Sequence, residues 1–233
     1  MGRPIEELNG LTVEEVKELG LSQGEKDTKA GRQYLILPLN ISRLIAGLKA
    51  SGYTARYGLT HFGHDNGNNG TTLYSCGRGR VIAAGWDSIV GNTVVVRYEN
   101  VRAANYNIYS ALTVRYLHLS TYKVSVGQIV TKDSVIGIMG NTGMMDMATH
   151  LHIEIDSDPD ERWACYSPTV KGKGGVLMPG TDTVVNPGKT LCIKTNSPDN
   201  QTYTVDSDQY FNGKPYFTSE DKCYAVVSTV DAP

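Results

Sequence analysis

Histidine is rare in this chain of 233 residues, and its placement is the first sign of chemistry. The five copies are His61, His64, His118, His150 and His152. Residues 149–155 read THLHIEI, an alternation of polar and apolar residues that predicts a β-strand. Residues two apart share a face of a strand, so His150, His152 and Glu154 should project to the same side. The residues between and after them should face a core: Leu151, Ile153 and Ile155.

A second group of candidate residues lies upstream. His61 and Asp65 are four residues apart, a spacing that brings an imidazole and a carboxylate to one side of a helical turn or of a strand. His118 lies in another alternating, strand-like stretch. Catalytic zinc usually has three protein ligands and an open position for water. The set His61, Asp65 and His152 supplies that number, and it leaves His118 and His150 for acid–base chemistry.

Three motifs in this order resemble those of the M23 zinc metallopeptidases, the lysostaphin and LytM type of peptidoglycan endopeptidase. They are H-x-G-x-D at 61–65, Y-x-H-L at 116–119 and H-L-H-x-E at 150–154. The glycine-punctuated segments 91–96 (GNTVVV) and 136–143 (IGIMGNTG) are also similar to the family pattern. The resemblance covers roughly residues 34–191.

This resemblance implies a fold, a cofactor and residue roles. The expected fold is mainly β, an antiparallel LytM/M23-type catalytic domain with a groove over the sheet. The expected cofactor is Zn²⁺, held by His61, Asp65 and His152. The two histidines that are not ligands in the family correspond to His118 and His150, which are expected to act as acid and base. Unlike the H-E-x-x-H zinc peptidases, the chain has no glutamate base next to its ligands.

Three further residues are weaker candidates for the site. Glu154 is expected on the histidine face, where it could orient a histidine from behind. His64 lies between two expected ligands, and its interpretations are a residue on the rim or a contact behind the ligands. Tyr106 belongs to residues 99–110, which form either a loop that contacts a sugar–peptide ligand or a plain surface hairpin.

The composition excludes some classes of partner. A net charge of −2 gives no electrostatic reason to expect nucleic acid or an anionic membrane. No run approaches the roughly 18 apolar residues that a membrane span requires. The N-terminus lacks the apolar segment of a secretory signal peptide, which predicts a fragment of a larger polypeptide or export without a signal. No C-x-x-C pair occurs, and Cys76 is expected to be a buried free thiol in a core strand.

We expect three regions along the chain. Residues 1–33 form a leader and linker with a short helix over 11–20. Residues 34–192 form the peptidase-like domain, with insertions near 41–51, 99–110 and 157–183, the first of them a turn of helix. Residues 193–233 form a C-terminal extension of turns and short strands.

The expected function is zinc-dependent hydrolysis of peptide bonds in the stem peptides or cross-bridges of bacterial peptidoglycan. Such an enzyme would act outside the cell, at the cell wall, or as part of a phage virion. The alternative is a weak or inactive M23-like module that binds the wall or serves as a structural part, for example of a phage tail assembly.

Overall fold

The computed structural model describes most of the expected peptidase region and short parts of the expected C-terminal extension. The described residues are 32–39, 43–57, 60–67, 72–103, 107–143, 148–158, 183–191, 193–194, 201–203 and 225–226. The expected leader helix over 11–20, Tyr106 and most of the expected insertion at 157–183 lie outside them. In the described part of the chain, no helix is long and apolar enough to cross a membrane.

The described residues form mainly β-strands. The first eight are β1 Gln33–Tyr34, β2 Arg43–Ala46, β3 His64–Gly67, β4 Thr72–Tyr74, β5 Gly79–Asp87, β6 Gly91–Arg102, β7 Ile108–Leu119 and β8 Thr121–Tyr122. The others are β9 Ile129–Val130, β10 Val135–Ile138, β11 Leu151–Asp156, β12 Val184–Val185, β13 Ile193–Lys194, β14 Gln201–Tyr203 and β15 Ala225–Val226. Two short helices accompany them, α1 Ser51–Tyr57 and α2 Pro187–Thr190.

One large sheet organises the described residues. Its strand order is β2-β3-β11-β7-β6-β5-β9, with β1 also paired to β6 and β12 to β11. Every pairing in it is antiparallel except that of β1 with β6. A second sheet has the order β4-β10-β8, and a third joins β13, β14 and β15. The expected antiparallel, mainly β fold is therefore confirmed.

The main core lies between the large sheet and the β4-β10-β8 sheet. It includes Val96, Val114 and Ile153 of the large sheet together with Leu73 and Ile136 of the smaller one. The alternation predicted for β11 is confirmed, since its apolar residues are fully buried in this core: Leu151, Ile153 and Ile155. His152 of β11 must consequently lie on the other face of the large sheet.

Two expectations about the insertions change. Residues 41–51 were expected to form a helical turn because their apolar residues recur at helical spacing. That prediction is wrong, because residues 43–46 form the strand β2, which pairs with β3 at the sheet edge, and the helix begins only at Ser51. Pairing with β3 at the sheet edge outweighs the helical spacing of the apolar residues. A bulge between Leu44 and Ala46 also interrupts the alternation of polar and apolar residues that would have indicated a strand. Residues 99–102 and 108–110 extend the hairpin of β6 and β7, which matches the plain hairpin interpretation.

A buried polar cluster lies on the core side of the large sheet. The hydroxyls of Tyr98 and Tyr116 are 2.8 Å apart, and both accept hydrogen bonds from the Cys76 backbone N–H, at 3.1 and 3.0 Å. Tyr116 also donates to the Cys76 sulfur at 3.0 Å. Cys76 is a buried free thiol, as expected, but it lies in a bend between β4 and β5 rather than within a strand. Burial raises the pKa of this thiol to about 12.

Cys76 should therefore be chemically inert in the native protein. At pH 8 iodoacetamide should leave Cys76 unmodified in the folded state, because only the thiolate reacts and the thiol has no access to solvent. Addition of denaturant should restore labelling at the rate of an ordinary peptide thiol. Peptide mapping by mass spectrometry separates Cys76 from the other three cysteines. Labelling of native Cys76 at the unfolded rate would contradict the burial described here.

Candidate metal and catalytic site

Three polar side chains meet where β3 and β11 lie side by side. In the register of these strands Asp65 is opposite His152, and His61 lies three residues before the start of β3. The Nε2 of His61 is 3.1 Å from Asp65 Oδ1 and 3.1 Å from His152 Nδ1. Asp65 Oδ1 is 2.8 Å from His152 Nδ1. All three residues are buried, and they form a group that could hold a metal ion.

The donor atoms suit a zinc ion in both type and spacing. Zinc binds imidazole nitrogen and carboxylate oxygen at about 2.0–2.2 Å, and a tetrahedral arrangement places such atoms about 3.3 Å apart. The three separations of 2.8–3.1 Å fall slightly below that value. Three protein ligands also leave a fourth position open, as catalytic zinc sites do. The residues present therefore fit the metal that the sequence motifs imply.

The segment before β3 fixes the orientation of His61. Its Nδ1 lies 2.7 Å from the Gly47 carbonyl oxygen, so Nδ1–H donates there and Nε2 keeps its lone pair for the metal position. The Tyr53 ring of α1 packs against the imidazole with ring centroids 4.4 Å apart. The Lys49 N–H donates to the His61 carbonyl at 2.6 Å. Residues 46–53, which include part of the expected 41–51 insertion, thus support the first ligand.

Glu154 fixes the orientation of His152 in the same manner. The Nε2 of His152 is 3.3 Å from Glu154 Oε1, so Nε2–H donates to the carboxylate and Nδ1 faces Asp65. Glu154 is fully buried behind the imidazole. This position suits a group that orients a ligand, as the sequence suggested, and it does not suit a base that must reach a substrate.

The other two candidate histidines lie beside this cluster. His118 Nδ1 is 2.9 Å from the Thr142 carbonyl oxygen, and His150 Nδ1 is 2.8 Å from the Ala148 carbonyl oxygen. Each ring therefore donates Nδ1–H to the backbone and has Nε2 left for chemistry. The two ring centroids are 5.0 Å apart, and His150 Nε2 lies 3.5 Å from Asp65 Oδ1. Their Nε2 atoms are suited to exchange protons next to the three-donor cluster.

A bulge in β7 brings His118 to the site. The pairing with β6 shifts register between Asn92 and Val94, so that Leu117 and His118 together oppose one residue of β6. His118 adopts a left-handed backbone conformation with φ of 61°. Strict alternation would have placed its ring in the core beside Tyr116. A non-glycine residue in this conformation is uncommon, and such conformations concentrate at functional sites.

The neighbours of these histidines shift their pKa values in different directions. Burial lowers the pKa of His118 to about 4, with His152 and His150 adding to the effect. Burial opposes protonation of His152 too, but its hydrogen bonds to Asp65 and Glu154 prevail and raise its pKa to about 9. The pKa of His150 is raised, because Asp65 outweighs the effect of burial. The Asp65 pKa lies well below its usual value: burial would raise it, but His61 and the hydrogen bonds of the histidines prevail.

The fifth histidine, His64, lies on the core face of the large sheet. His64 is opposite Ile153 in the strand register, so it faces away from Asp65, and it is only 4% exposed. It hydrogen-bonds the side chain of Asn186, and burial lowers its pKa to about 3. A position on the rim is thus wrong, and His64 serves as a neutral structural residue under the sheet. Tyr106 lies outside the described residues, so its expected contact with substrate stays a prediction.

Several residues that build the site carry no chemical signal in the sequence. Gly63 is one of them: a Cβ there would meet the Ile153 carbonyl oxygen and lie 2.7 Å from His152 Nε2. Thr142 is another, since its carbonyl holds His118 and its hydroxyl donates to the Leu119 carbonyl at 2.7 Å. Two clues were available: the glycine within H-x-G-x-D, which indicates close approach of two backbones, and the family-like segment 136–143, which contains Thr142.

Comparison with known proteins confirms the family resemblance drawn from the motifs. Residues 60–162 match the family model described as Peptidase family M23. Peptidoglycan DD-endopeptidase ShyA of Vibrio cholerae serotype O1 is 36% identical over 86 residues, which are 37% of this chain and 17% of that protein. Lysostaphin of Staphylococcus simulans is 33% identical over 142 residues, 60% of this chain and 26% of that protein.

Among solved structures, a zinc-containing peptidase from Vibrio cholerae aligns with 52% of this chain and 35% of its own, at 28% identity and a TM-score of 0.39. The chain spans only a minor part of the length of the curated relatives it matches.

Replacement of Gly63 by alanine should damage the site through backbone displacement. The new Cβ would push β11 away from β3, so we expect Gly63→Ala to lose about 1–3 kcal/mol of stability and to bind zinc more weakly. The matched control is Gly85→Ala in β5, where a Cβ meets nothing within 4 Å. The control should stay within about 0.5 kcal/mol of the wild type. Urea unfolding and zinc titration measure both effects, and equal behaviour of the two variants would contradict the tight contact at Gly63.

Proposed function

From the match of residues 60–162 to peptidase family M23, we propose that this chain is a zinc-dependent endopeptidase that cleaves peptide bonds in the stem peptides or cross-bridges of bacterial peptidoglycan. The observation that carries the proposal is the convergence of His61 Nε2, Asp65 Oδ1 and His152 Nδ1, with two further imidazoles beside them. The substrate class is supported by the similarity to a relative named as a peptidoglycan DD-endopeptidase.

In this proposal the three converging side chains hold the metal. A bound zinc ion supplies Lewis acidity, which polarises a scissile carbonyl and lowers the pKa of a water from about 15.7 towards about 7. The Gly47 carbonyl and the Glu154 carboxylate accept hydrogen bonds from the outer ring nitrogens of His61 and His152, which leaves the inner nitrogens facing the metal position.

The two remaining histidines carry the protons. Amide hydrolysis needs one group to take a proton from the attacking water and another to protonate the leaving amine. His118 and His150 divide these tasks through their Nε2 atoms, while the Thr142 and Ala148 carbonyls hold both rings in the required tautomer. An imidazolium Nε2–H at the same place also stabilises the negative charge that develops on the carbonyl oxygen.

The proposed setting follows from the substrate. An enzyme acting on peptidoglycan works at the cell wall, outside the cytoplasm, either as a secreted protein or as part of a phage virion. We further propose that residues 34–192 form the catalytic domain, with residues 1–33 and 193–233 as a leader and an extension. The described parts of that extension pair with one another in the third sheet.

Variants of Asp65, His118 and His150 should separate metal binding from proton transfer. Asp65→Ala should lose zinc, because it removes one of three ligands. His118→Ala and His150→Ala should keep one zinc per chain but hydrolyse about 10²–10⁴-fold more slowly, the usual contribution of a general acid or base. Zinc content by mass spectrometry and turbidity loss of purified cell walls measure the two properties.

The same experiment distinguishes the enzyme from a module that only binds the wall. Muropeptides released from walls of two peptidoglycan chemotypes identify the bond that is cleaved. Full activity in both histidine variants would show that the proton-transfer roles are misassigned. A zinc-loaded wild-type protein that binds walls and releases no peptide would favour the non-catalytic alternative.

A further inference from the structure

A row of charged side chains continues from His152 into the interior. On β11, Glu154 and Asp156 share the face of His152, and on the neighbouring strand β7 Arg115 is directly opposite Glu154. Arg115, Glu154 and Asp156 are all fully buried. Charged side chains are almost never fully buried unless they are paired.

The contacts in this row divide each group between two neighbours. Glu154 Oε1 accepts from His152 Nε2 at 3.3 Å, and its Oε2 lies 3.4 Å from Arg115 Nη1. Arg115 Nη2 donates to Asp156 Oδ2 at 3.0 Å. The other oxygen of Asp156 accepts from the Asp158 N–H at 2.9 Å. A continuous chain of contacts thus runs from His152 through Glu154 and Arg115 to Asp156 and the turn after β11.

We propose that Arg115 is a positioning residue for the metal ligand His152, and that it acts through Glu154. The inference rests on the proposed function only in taking His152 as a zinc ligand. The planar guanidinium reaches two carboxylates with separate nitrogens, so it fixes the plane of the Glu154 carboxylate as well as its charge. That carboxylate in turn fixes the tautomer and tilt of the His152 ring.

Loss of the Arg115 guanidinium would allow the Glu154 carboxylate to change its orientation. The Glu154 carboxylate then loses the contact from β7 that fixes its plane. A rotated Glu154 accepts the His152 Nε2–H less well, and His152 Nδ1 then becomes a less directed ligand. Removal of a group that orients a metal ligand typically lowers metal affinity 10–100-fold.

A double-mutant cycle on zinc affinity tests this role without reference to catalysis. The proteins are the wild type, Arg115→Met, Glu154→Gln and the double variant, each titrated with zinc in competition with a chromogenic chelator. We expect each single variant to bind zinc about 10–100-fold more weakly. The double variant should bind zinc with the same affinity as the single variant that binds it less tightly, because Arg115 acts only through Glu154.

Asp156→Asn provides the matched control. It breaks the shorter of the two Arg115 contacts but leaves the contact of Glu154 with His152 in place. It should lower the unfolding midpoint of the metal-free protein while zinc affinity changes by less than about threefold. A fall in zinc affinity equal to that of Arg115→Met would show that general loss of stability explains both effects.

Further outcomes decide the inference. A folded Arg115→Met protein with wild-type zinc affinity, or additive losses in the double variant, would overturn it. If Arg115→Met does not fold, Arg115→Lys replaces it in the cycle, since one ammonium group cannot match both carboxylates. Arg115→Lys should weaken zinc binding several-fold in the otherwise wild-type protein. It should cause no further loss of zinc affinity in a protein that already carries Glu154→Gln. A wild-type protein that binds no zinc would overturn the proposed function itself and this inference with it.

Discussion

Three lone-pair-bearing atoms from two distant parts of the chain lie within 3.1 Å of one another in a buried place. Atoms with the same partial charge are stable at such distances only when a cation or shared protons lie between them. This constraint accounts for much of the structure around the cluster. The outer nitrogens of His61 and His152 are each tied to an oxygen, which turns both lone pairs inward.

The architecture of the sheet can be understood from the same constraint. β3 and β11 must lie close together to bring Asp65 opposite His152, and Gly63 permits that approach. Regular alternation along β7 would place His118 on the core face of the sheet. The bulge, with His118 in a left-handed conformation, places it on the face of Asp65 and His152 instead. The opposite face of the sheet carries the apolar core and so holds these strands in register.

Sequence patterns predicted the parts of this arrangement that have a strand period. His152 and Glu154 lie on one side of β11, with His150 next to Asp65 just before the strand. The apolar residues between them lie on the other side, because alternation is enforced wherever one face is buried. The family resemblance that the motifs and glycines carry also implied the antiparallel fold. Family resemblance named the five site residues, and the structure brings them together.

The features that the patterns missed depend on tertiary contacts. Residues 43–46 have helical apolar spacing, but they form a strand because they pair with β3. His64 looks like a neighbour of the ligands in the sequence, yet the alternation of β3 turns it into the core. Arg115 gave no signal at all, since its importance comes from two carboxylates that are distant in sequence.

The most direct measurement is anomalous diffraction at the zinc absorption edge from crystals of the zinc-loaded protein. We predict one anomalous peak per chain, within about 2.0–2.2 Å of His61 Nε2, Asp65 Oδ1 and His152 Nδ1. A peak bound by other residues, or its absence in protein saturated with zinc, would contradict the proposed metal site.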